Sequence, residues 1–457
     1  MEPLHFFAND NRLLRKLITS GLSETSARDK QKLFAQCARV LLQADINSGI
    51  DAYGFLVPGR IEVLGKHTDY AGGRSMVAAT EKGFCLVAAP RRDAQLNIRA
   101  AATGEKHQFE IHPDLQPKMG HWSNYPMTVA RRVARNFGGE LRGADMAFCS
   151  DLPAAAGMSS SSAMMVGIYM VLAGVNQLDG RDEYRRNITD EESLAGYLGA
   201  IENGQDFGGM AGDKGVGTFG GSEDHTAILC ARSGRLSQYR YCPVRFEKYI
   251  KVPKGYVFGL ASSGVAAEKT GSALEKYNRV SRLASAVTAA WNRATGRDDG
   301  HMAAALASGP VAIKQMRNIL KGSTAGGFGA EELTRRFEHF CVESEEIIPA
   351  AGAALERGDI EAFGGEVDRS QELAEALLGN QVSETIFLAR TARELGAASA
   401  SAFGAGFGGS VWALGAEDEI ETILRNWEKR YKQAYPNRAH KARFFISRAG
   451  PAAFELK

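Results

Sequence analysis

Asp151-Leu-Pro-Ala-Ala-Ala-Gly-Met-Ser-Ser-Ser-Ser-Ala163 is the stretch on which the reading of this chain turns. It lies between Ala144 to Cys149, whose residues suit a strand, and Ala163 to Val175, a run apolar on nearly every side that suits a buried helix. A flexible serine linker would not run straight into such a helix. Small residues at the junction let backbone N–H groups close on an anion, and the start of the helix adds unpaired donors and a partial positive charge. Serine hydroxyls can contribute further donors or a magnesium ligand. No GKS or GKT follows the glycine, so this is not a Walker A loop. By itself the stretch predicts a strand, an anion-gripping loop and a helix.

Working outward, residues 10 to 45 carry helical periodicity, with Leu13, Leu14, Leu17, Leu33, Phe34, Val40 and Leu41 on one face. Phe55 to Leu64 reads as a strand broken by Pro58-Gly59 and closed by a polar turn from Lys66 to Gly73. Met76 to Ala89 and Gln95 to Ala101 suit strands of the same sheet, and Trp122 to Phe137 a helix. Residues 204 to 222 hold eight glycines in nineteen positions and predict a loop system, because glycine is costly inside helices and strands. Beyond it, Tyr256 to Ser262 reads as a strand, 272 to 293, 332 to 357 and 380 to 395 as helices, and Ser410 to Leu414 with Ala442 to Ser447 as a final β-rich unit. The interleaving predicts an α+β protein of two lobes, residues 1–235 and 236–457, with a cleft between them.

With 457 residues, two domains are the expectation, and a net charge of +2 provides no chain-wide basic field for nucleic acid or anionic lipid. Met1 to Leu17 lacks an apolar core followed by a cleavage site, and the run Ala163 to Val175 is shorter than the roughly 20 residues of a membrane span. Six scattered cysteines without a CxxC pair read as free thiols, so a cytoplasmic chain that binds neither membrane nor nucleic acid is expected.

The loop closely resembles the Pro-x-x-x-Gly-Leu-Ser-Ser-Ser-Ala motif of the GHMP kinases, the family named for galactokinase, homoserine kinase, mevalonate kinase and phosphomevalonate kinase. Here Met158 stands for the leucine and Ser162 for the alanine. Pro58-Gly-Arg-Ile-Glu-Val-Leu-Gly-Lys-His-Thr-Asp-Tyr-Ala-Gly-Gly73 resembles the galactokinase signature PGRVNLIGEHTDYNGG, and Gly404-Ala-Gly-Phe-Gly-Gly-Ser410 resembles the family's C-terminal GAGFGG loop. Weaker echoes fall in the same order at Trp122-Ser-Asn-Tyr125, Glu202-Asn203, Glu275-Lys-Tyr-Asn-Arg279 and Arg336-Phe-Glu-His339. The resemblance implies an N-terminal lobe like the second domain of ribosomal protein S5, a ferredoxin-like C-terminal lobe, and a cleft where ATP, Mg2+ and a sugar meet. A monomer is the favoured expectation, although the sequence does not itself reveal the oligomeric state.

The resemblance also assigns roles. Gly221-Ser-Glu-Asp-His225 aligns with a galactokinase stretch ending Gly-Ile-Met-Asp-Gln, so Asp224 would take the sugar hydroxyl's proton and Arg60 would hold it anionic. Read without the family, Asp224 equally suits the cap of a helix starting near His225. Ser161 and Glu202 would contact magnesium, with a serine one position from Ser161 able to fill the first role because the run is degenerate. Gly157, Ser159, Ser160, Ser161 and Ser162 would grip the phosphates, Gly404 and Gly406 would support them, and Trp122 would line the adenine pocket or else serve as core. Lys66, His67, Asp69 and Tyr277 align with sugar-contacting positions.

Two departures bear on the substrate. Lys66 replaces the family's glutamate and Glu223 its methionine. A lysine only donates and suits a carboxylate, which suggests a uronic acid; alternatively Lys66 and Glu223 pair with each other. The loop from Asp206 to Gly221 and residues 295 to 330 exceed the family pattern. The leading expectation is a sugar 1-kinase acting on galactose or a close analogue, against a uronic acid kinase and a catalytically silent sugar sensor.

Overall fold

The computed structural model describes residues 1–118, 120–267 and 271–457. Its architecture grows from the strand Asp51–Leu64, which is buried along almost all its length. Successive side chains of a strand point to opposite faces. Phe55 and Val57 therefore join one core, with Leu86, Met165, Ile168 and Leu172. Leu56 joins another, with Phe6, Phe7, Phe34 and Val87. The first core lies under the helices Asn124–Phe137 and Ser160–Asn176; the second lies under the N-terminal helices, of which Glu24–Leu42 is the longest. A sheet covered on both sides explains why its strands are near-continuous apolar runs.

Among the described residues this sheet has nine strands. Glu2–Pro3, Asp51–Leu64, Arg74–Pro90, Ala144–Ser150, Gln95–Ala100 and Lys106–Glu110 follow one another in space. Arg235–Arg240 pairs with Arg74–Pro90 and carries Arg245–Lys251 beside it. The second sheet is antiparallel throughout, in the order Ser399–Phe403, Ser410–Ala416, Tyr256–Ser262, Arg443–Ser447. Ser383–Glu394 and Ile420–Ala434 pack on one of its faces through Leu388, Trp427 and Tyr431. Its other face, through Phe258, Leu260 and Trp412, shares a core with Ile61, Val63 and Met76 of the first sheet. Apolar packing thus runs unbroken between the lobes, beneath the cleft.

The expected division at residue 235 is displaced. Arg235–Arg240 and Arg245–Lys251 are still bonded to the first sheet, so the second lobe begins at Tyr256. The chain also returns at its end, where Phe454–Glu455 pairs with Leu56 and Phe55. Neither return has a local signal, since strand partners are chosen by tertiary packing.

Pro58-Gly59 does not break its strand either. Pairing with Arg74–Pro90 continues across it with a shift of register between Pro58 and Arg60. Such a bulge bends a strand and re-aims its side chains. The glycine is required, because a Cβ at position 59 would lie 2.8 Å from the Met158 carbonyl oxygen and 2.7 Å from Leu152. The phosphate-type loop lies directly against this bulge, and Arg60 N–H donates to the Met158 carbonyl at 3.3 Å.

The long helix predicted over 332 to 357 is Ala330–Cys341 and Ile348–Glu356, joined by a wide turn over residues 342–347. Wide turns of this kind re-aim a side chain. Here Glu343 accepts from the Gly65 N–H at 2.8 Å and from Ser370 Oγ at 3.0 Å. The segment 295–330 forms two short helices, Met302–Leu306 and Ala312–Leu320. They pack with Trp291 and Phe337 around Ala71, behind the turn that follows the first signature.

Candidate functional site

Arg60 emerges from the bulge into the cleft, buried to all but 5% of its surface. Its Nε donates to Asp224 Oδ1 at 2.7 Å and its NH1 to the Gly157 carbonyl at 2.8 Å. Glu62 Oε2 lies 3.5 Å from NH2 and Glu223 Oε1 3.8 Å from Nε. Burial opposes the guanidinium charge, but Asp224, Glu62 and Glu223 outweigh it and hold Arg60 above its ordinary range. Asp224 sits in the first turn of Glu223–Leu229, whose N-cap is Ser222 with no side-chain cap bond. The capping role considered for Asp224 is therefore not the one it takes. Its carboxylate points into the cleft, where Oδ2 lies 3.3 Å from Ser162 Oγ.

Ser162 links this group to Glu202, donating to Oε2 at 2.8 Å. Glu202 comes from the helix Glu191–Asn203, an element that the sequence reading did not mark out. Its start carries a clear local signal, Asp190 accepting from Ser193 N–H as an N-cap. Ser162 and Glu202 together with Asp224 offer hard oxygens of the type magnesium prefers, and phosphate oxygens would complete such a shell. Among the described residues, no group of three His, Cys, Asp or Glu side chains is placed to hold a metal unaided. Ser161, expected as the metal contact, lines the larger cavity one position away, while Ser162 is the serine bonded to Glu202.

Two cavities meet here. One, about 770 Å³, runs along the phosphate-type loop; the other, about 40 Å³, lies beneath the signature turn. Arg60, Asp224 and Ala405 line both. The larger takes Trp122, Gly157, Ser159, Ser160 and Ser161 from the expected set. The smaller takes His67, Asp69, Tyr277, Glu202 and Gly404. Trp122 stands edge-on to Phe148, 5.9 Å between ring centres, and forms part of the wall rather than a closed core.

The loop into Ser160–Asn176 bends through left-handed backbone at Ala155, Gly157 and Ser159. The glycine-rich loop from the second lobe seats on it: Ser410 Oγ donates to the Ala156 carbonyl at 2.6 Å, and a Cβ on Gly404 would stand 2.9 Å from the Gly157 carbonyl. Gly406 lines neither cavity. It lies against Asn380, where a Cβ would come within 2.3 Å of the carbonyl oxygen. Its part is to let this loop fold.

In the signature turn, the His67 ring nitrogens meet Tyr70 Oη at 2.8 Å and the Ala405 carbonyl at 3.0 Å, so the ring bridges the lobes. Tyr277 stands 5.4 Å from it. Asp69 Oδ2 accepts from the Glu223 N–H at 3.2 Å, tying the turn to the helix that carries Asp224. Lys66 departs from expectation. Its ammonium is directed away from both cavities and into the second lobe, where it donates to Ser401 Oγ at 2.8 Å and Ser370 Oγ at 3.3 Å. It neither faces a sugar carboxylate nor pairs with Glu223. Ser370 in turn donates to Glu343, which supplies nearby negative charge through a single hydroxyl.

Glu223 instead lies with Glu62, a residue the sequence reading left without a role. Both are nearly fully buried and both line the smaller cavity. Burial raises Glu62 above the ordinary carboxylate range against the pull of Arg60 and Lys66, and their side chains are within hydrogen-bonding reach. Burial, then the charges of Glu62 and Asp69, push Glu223 well above that range. Two carboxyl groups in contact cannot both ionise easily, so the pair holds a proton to higher pH than a lone carboxyl would. In the unfolded chain Glu223 would ionise near the ordinary value, before it does in the fold. As pH climbs from that value toward the raised one, the unfolded state therefore gains and stability falls. Glu223→Gln is expected to lift the urea midpoint at about pH 8 above that of the natural chain and to flatten the decline between about pH 5 and 8. Equal pH profiles for the two proteins would refute this reading.

Comparison with known proteins matches three segments in order. The galactokinase galactose-binding signature covers residues 47–90, the N-terminal domain of GHMP kinases 124–210, and their C-terminal domain 352–433. A galactokinase of Roseiflexus sp. (strain RS-1) is 28% identical over 383 residues, covering 82% of this chain and 87% of the relative. A galactokinase of Halalkalibacterium halodurans is 27% identical over 412 residues, covering 89% and 93%. The crystal structure of Lactococcus lactis galactokinase complexed with galactose superposes with a TM-score of 0.73 at 21% identity, over 92% of this chain and 99% of that one, which establishes a shared fold.

Proposed function

Since this chain belongs to the GHMP kinase superfamily, in its galactokinase branch, and is thereby a galactokinase-like, ATP-dependent sugar kinase, we propose that it moves the γ-phosphoryl group of ATP onto the anomeric hydroxyl of galactose or a close analogue. The observation that carries this is the meeting of a nucleotide-sized cavity and a small polar one at Arg60 and Asp224. Drug-sized ligands occupy cavities of roughly 300–1,000 Å³, so the larger fits a nucleotide.

In this reading ATP lies along the larger cavity, its base beside Trp122 and its phosphates over the backbone N–H groups of Gly157 to Ser161. The sugar occupies the smaller one, with Asp69 accepting hydroxyl hydrogen bonds. Asp224 accepts the attacking hydroxyl's proton, held anionic and aimed by Arg60 and Ser162. A magnesium ion, when bound, neutralises charge on the phosphates; Ser162 and Glu202 are the residues that would hold it. The glycine-rich loop from Gly404 covers the junction and keeps water from competing with the sugar.

ADP release with galactose, galacturonate, glucuronate and arabinose tests the proposal, with phosphorus NMR to locate the new ester. Sugar-dependent ADP and a 1-phosphate are expected. Sugar binding without ADP from folded protein would make the chain a sensor instead. With the Lys66 ammonium committed to Ser370 and Ser401, the uronate alternative loses the residue that suggested it. Trp122→Ala is expected to raise KM for ATP about tenfold, the loss of roughly 1.4 kcal/mol of ring contact, with KM for sugar little changed. An unaltered KM for ATP would remove the base from that wall.

A further inference from the structure

Within the smaller cavity the balance of charge is unusual for a neutral ligand. Glu62, Asp69, Glu202, Glu223 and Asp224 all line it, and Arg60 is the one lysine or arginine among the lining residues. Three of these carboxylates are already engaged with the machinery described above. Asp224 is bonded to Arg60, Glu202 to Ser162, and Asp69 to the backbone of Glu223. Glu62 and Glu223 have only a share of Arg60, at 3.5 and 3.8 Å, and each other.

Glu62 holds the sharper clue. Only 4% of its surface is exposed, Oε2 faces Arg60, and Oε1 accepts no hydrogen bond from an N–H or a hydroxyl, with the Glu223 carboxyl within the side chain's reach. A buried acceptor left unsatisfied costs roughly 1–3 kcal/mol, so a bound group that donates to it recovers that cost. Beside it, Glu223 supplies a second carboxyl in contact with the first. A lone hydroxyl offers one proton to such a pair and no charge. An ammonium offers up to three donors and a positive charge beyond that of Arg60, which Asp224 also draws on. An anionic substituent would meet five carboxyl groups against the one guanidinium of Arg60, because the lysine of the signature turn is withdrawn into the second lobe.

We propose that Glu62 and Glu223 form a cation-accepting subsite of the sugar cavity, and that the preferred substrate is an amino sugar, a hexose carrying an ammonium substituent. This rests on the sugar-kinase reading and narrows it. Glu62 and Glu223 act as specificity residues: they touch the substituent, not the transferring phosphoryl group. Carboxylates reject analogues that lack the donor, since the rejected complex leaves buried acceptors unpaired.

The test uses the full chain with galactose, galactosamine, 4-amino-4-deoxygalactose, 6-amino-6-deoxygalactose and galacturonate. ADP release gives kcat/KM and calorimetry gives Kd for each. At least one amino sugar is expected to exceed galactose about tenfold or more in kcat/KM, with galacturonate lowest. In Glu62→Gln and in Glu223→Gln the ratio of that amino sugar to galactose in kcat/KM should fall about tenfold. Galactose preferred over every amino sugar overturns the proposal, and so does a ratio that neither variant changes. If no sugar releases ADP, the kinase reading fails by itself, and calorimetry then decides the subsite: amino sugars binding no tighter than galactose would dismiss it.

Discussion

Asparagine in place of Asp224 is expected to lower kcat by about a thousandfold, within the roughly 10²–10⁴ that a positioned general base contributes. The exchange keeps the shape of the side chain and one oxygen for Arg60 or Ser162, so the fold has little reason to respond. What disappears is the ability to receive a proton from the sugar hydroxyl. Single-turnover ADP formation at saturating sugar isolates that step from product release. KM for ATP should move less than about threefold, since the base wall and the phosphate loop are untouched. A fall in kcat of less than about tenfold would assign the proton to another group.

Arg60→Met should act chiefly on stability. The guanidinium is the shared counter-ion of Asp224, Glu62 and Glu223, all within 3.8 Å, and it is also bonded to the Gly157 carbonyl. Removing one partner from a buried ionic group leaves uncompensated charge and costs about 3–5 kcal/mol. Urea unfolding at about pH 8, where the carboxylates are most ionised, is the measurement. Arg60→Lys should recover only part of this, because an ammonium cannot reach Asp224 and Gly157 together with the geometry of a planar fork. Adding Glu223→Met to Arg60→Met should restore part of the loss, since it removes one of the stranded charges. A loss below about 1 kcal/mol for Arg60→Met would show that the cluster relaxes or fills with water instead.

What the sequence disclosed followed the range over which its signals act. The phosphate-type loop was legible because its chemistry is local: small residues, serines and a buried helix lie within 25 residues of one another. Asp224, Arg60, Glu202 and the glycine loop were legible only through family resemblance, as nothing near each one in the chain predicts that they meet. The lobe boundary escaped because Arg235–Arg240 chooses its partner at Arg74–Pro90, far away in sequence. Lys66 and Glu223 are close by in the family resemblance, whereas a bulge and a turn separate their directions in space. Lys66 reaches across the cleft to Ser401, and Glu223 turns back to Glu62. Glu62 itself reads as one more alternating position of a strand, and only its burial beside a second carboxyl shows otherwise.

The return of Phe454–Glu455 to Asp51–Leu64 has a consequence for how the molecule comes into being. Glu2–Pro3 lies on Ala52 and Asp51 of the same strand, and the amino group of Met1 stands 3.7 Å from Glu455. In topological terms the second lobe is an insertion, entered and left across the same sheet. During synthesis the first sheet is therefore sealed only after a segment that lies beyond the whole second lobe in the chain has been made. Pairings this distant in the chain are paid for in loop entropy and form late.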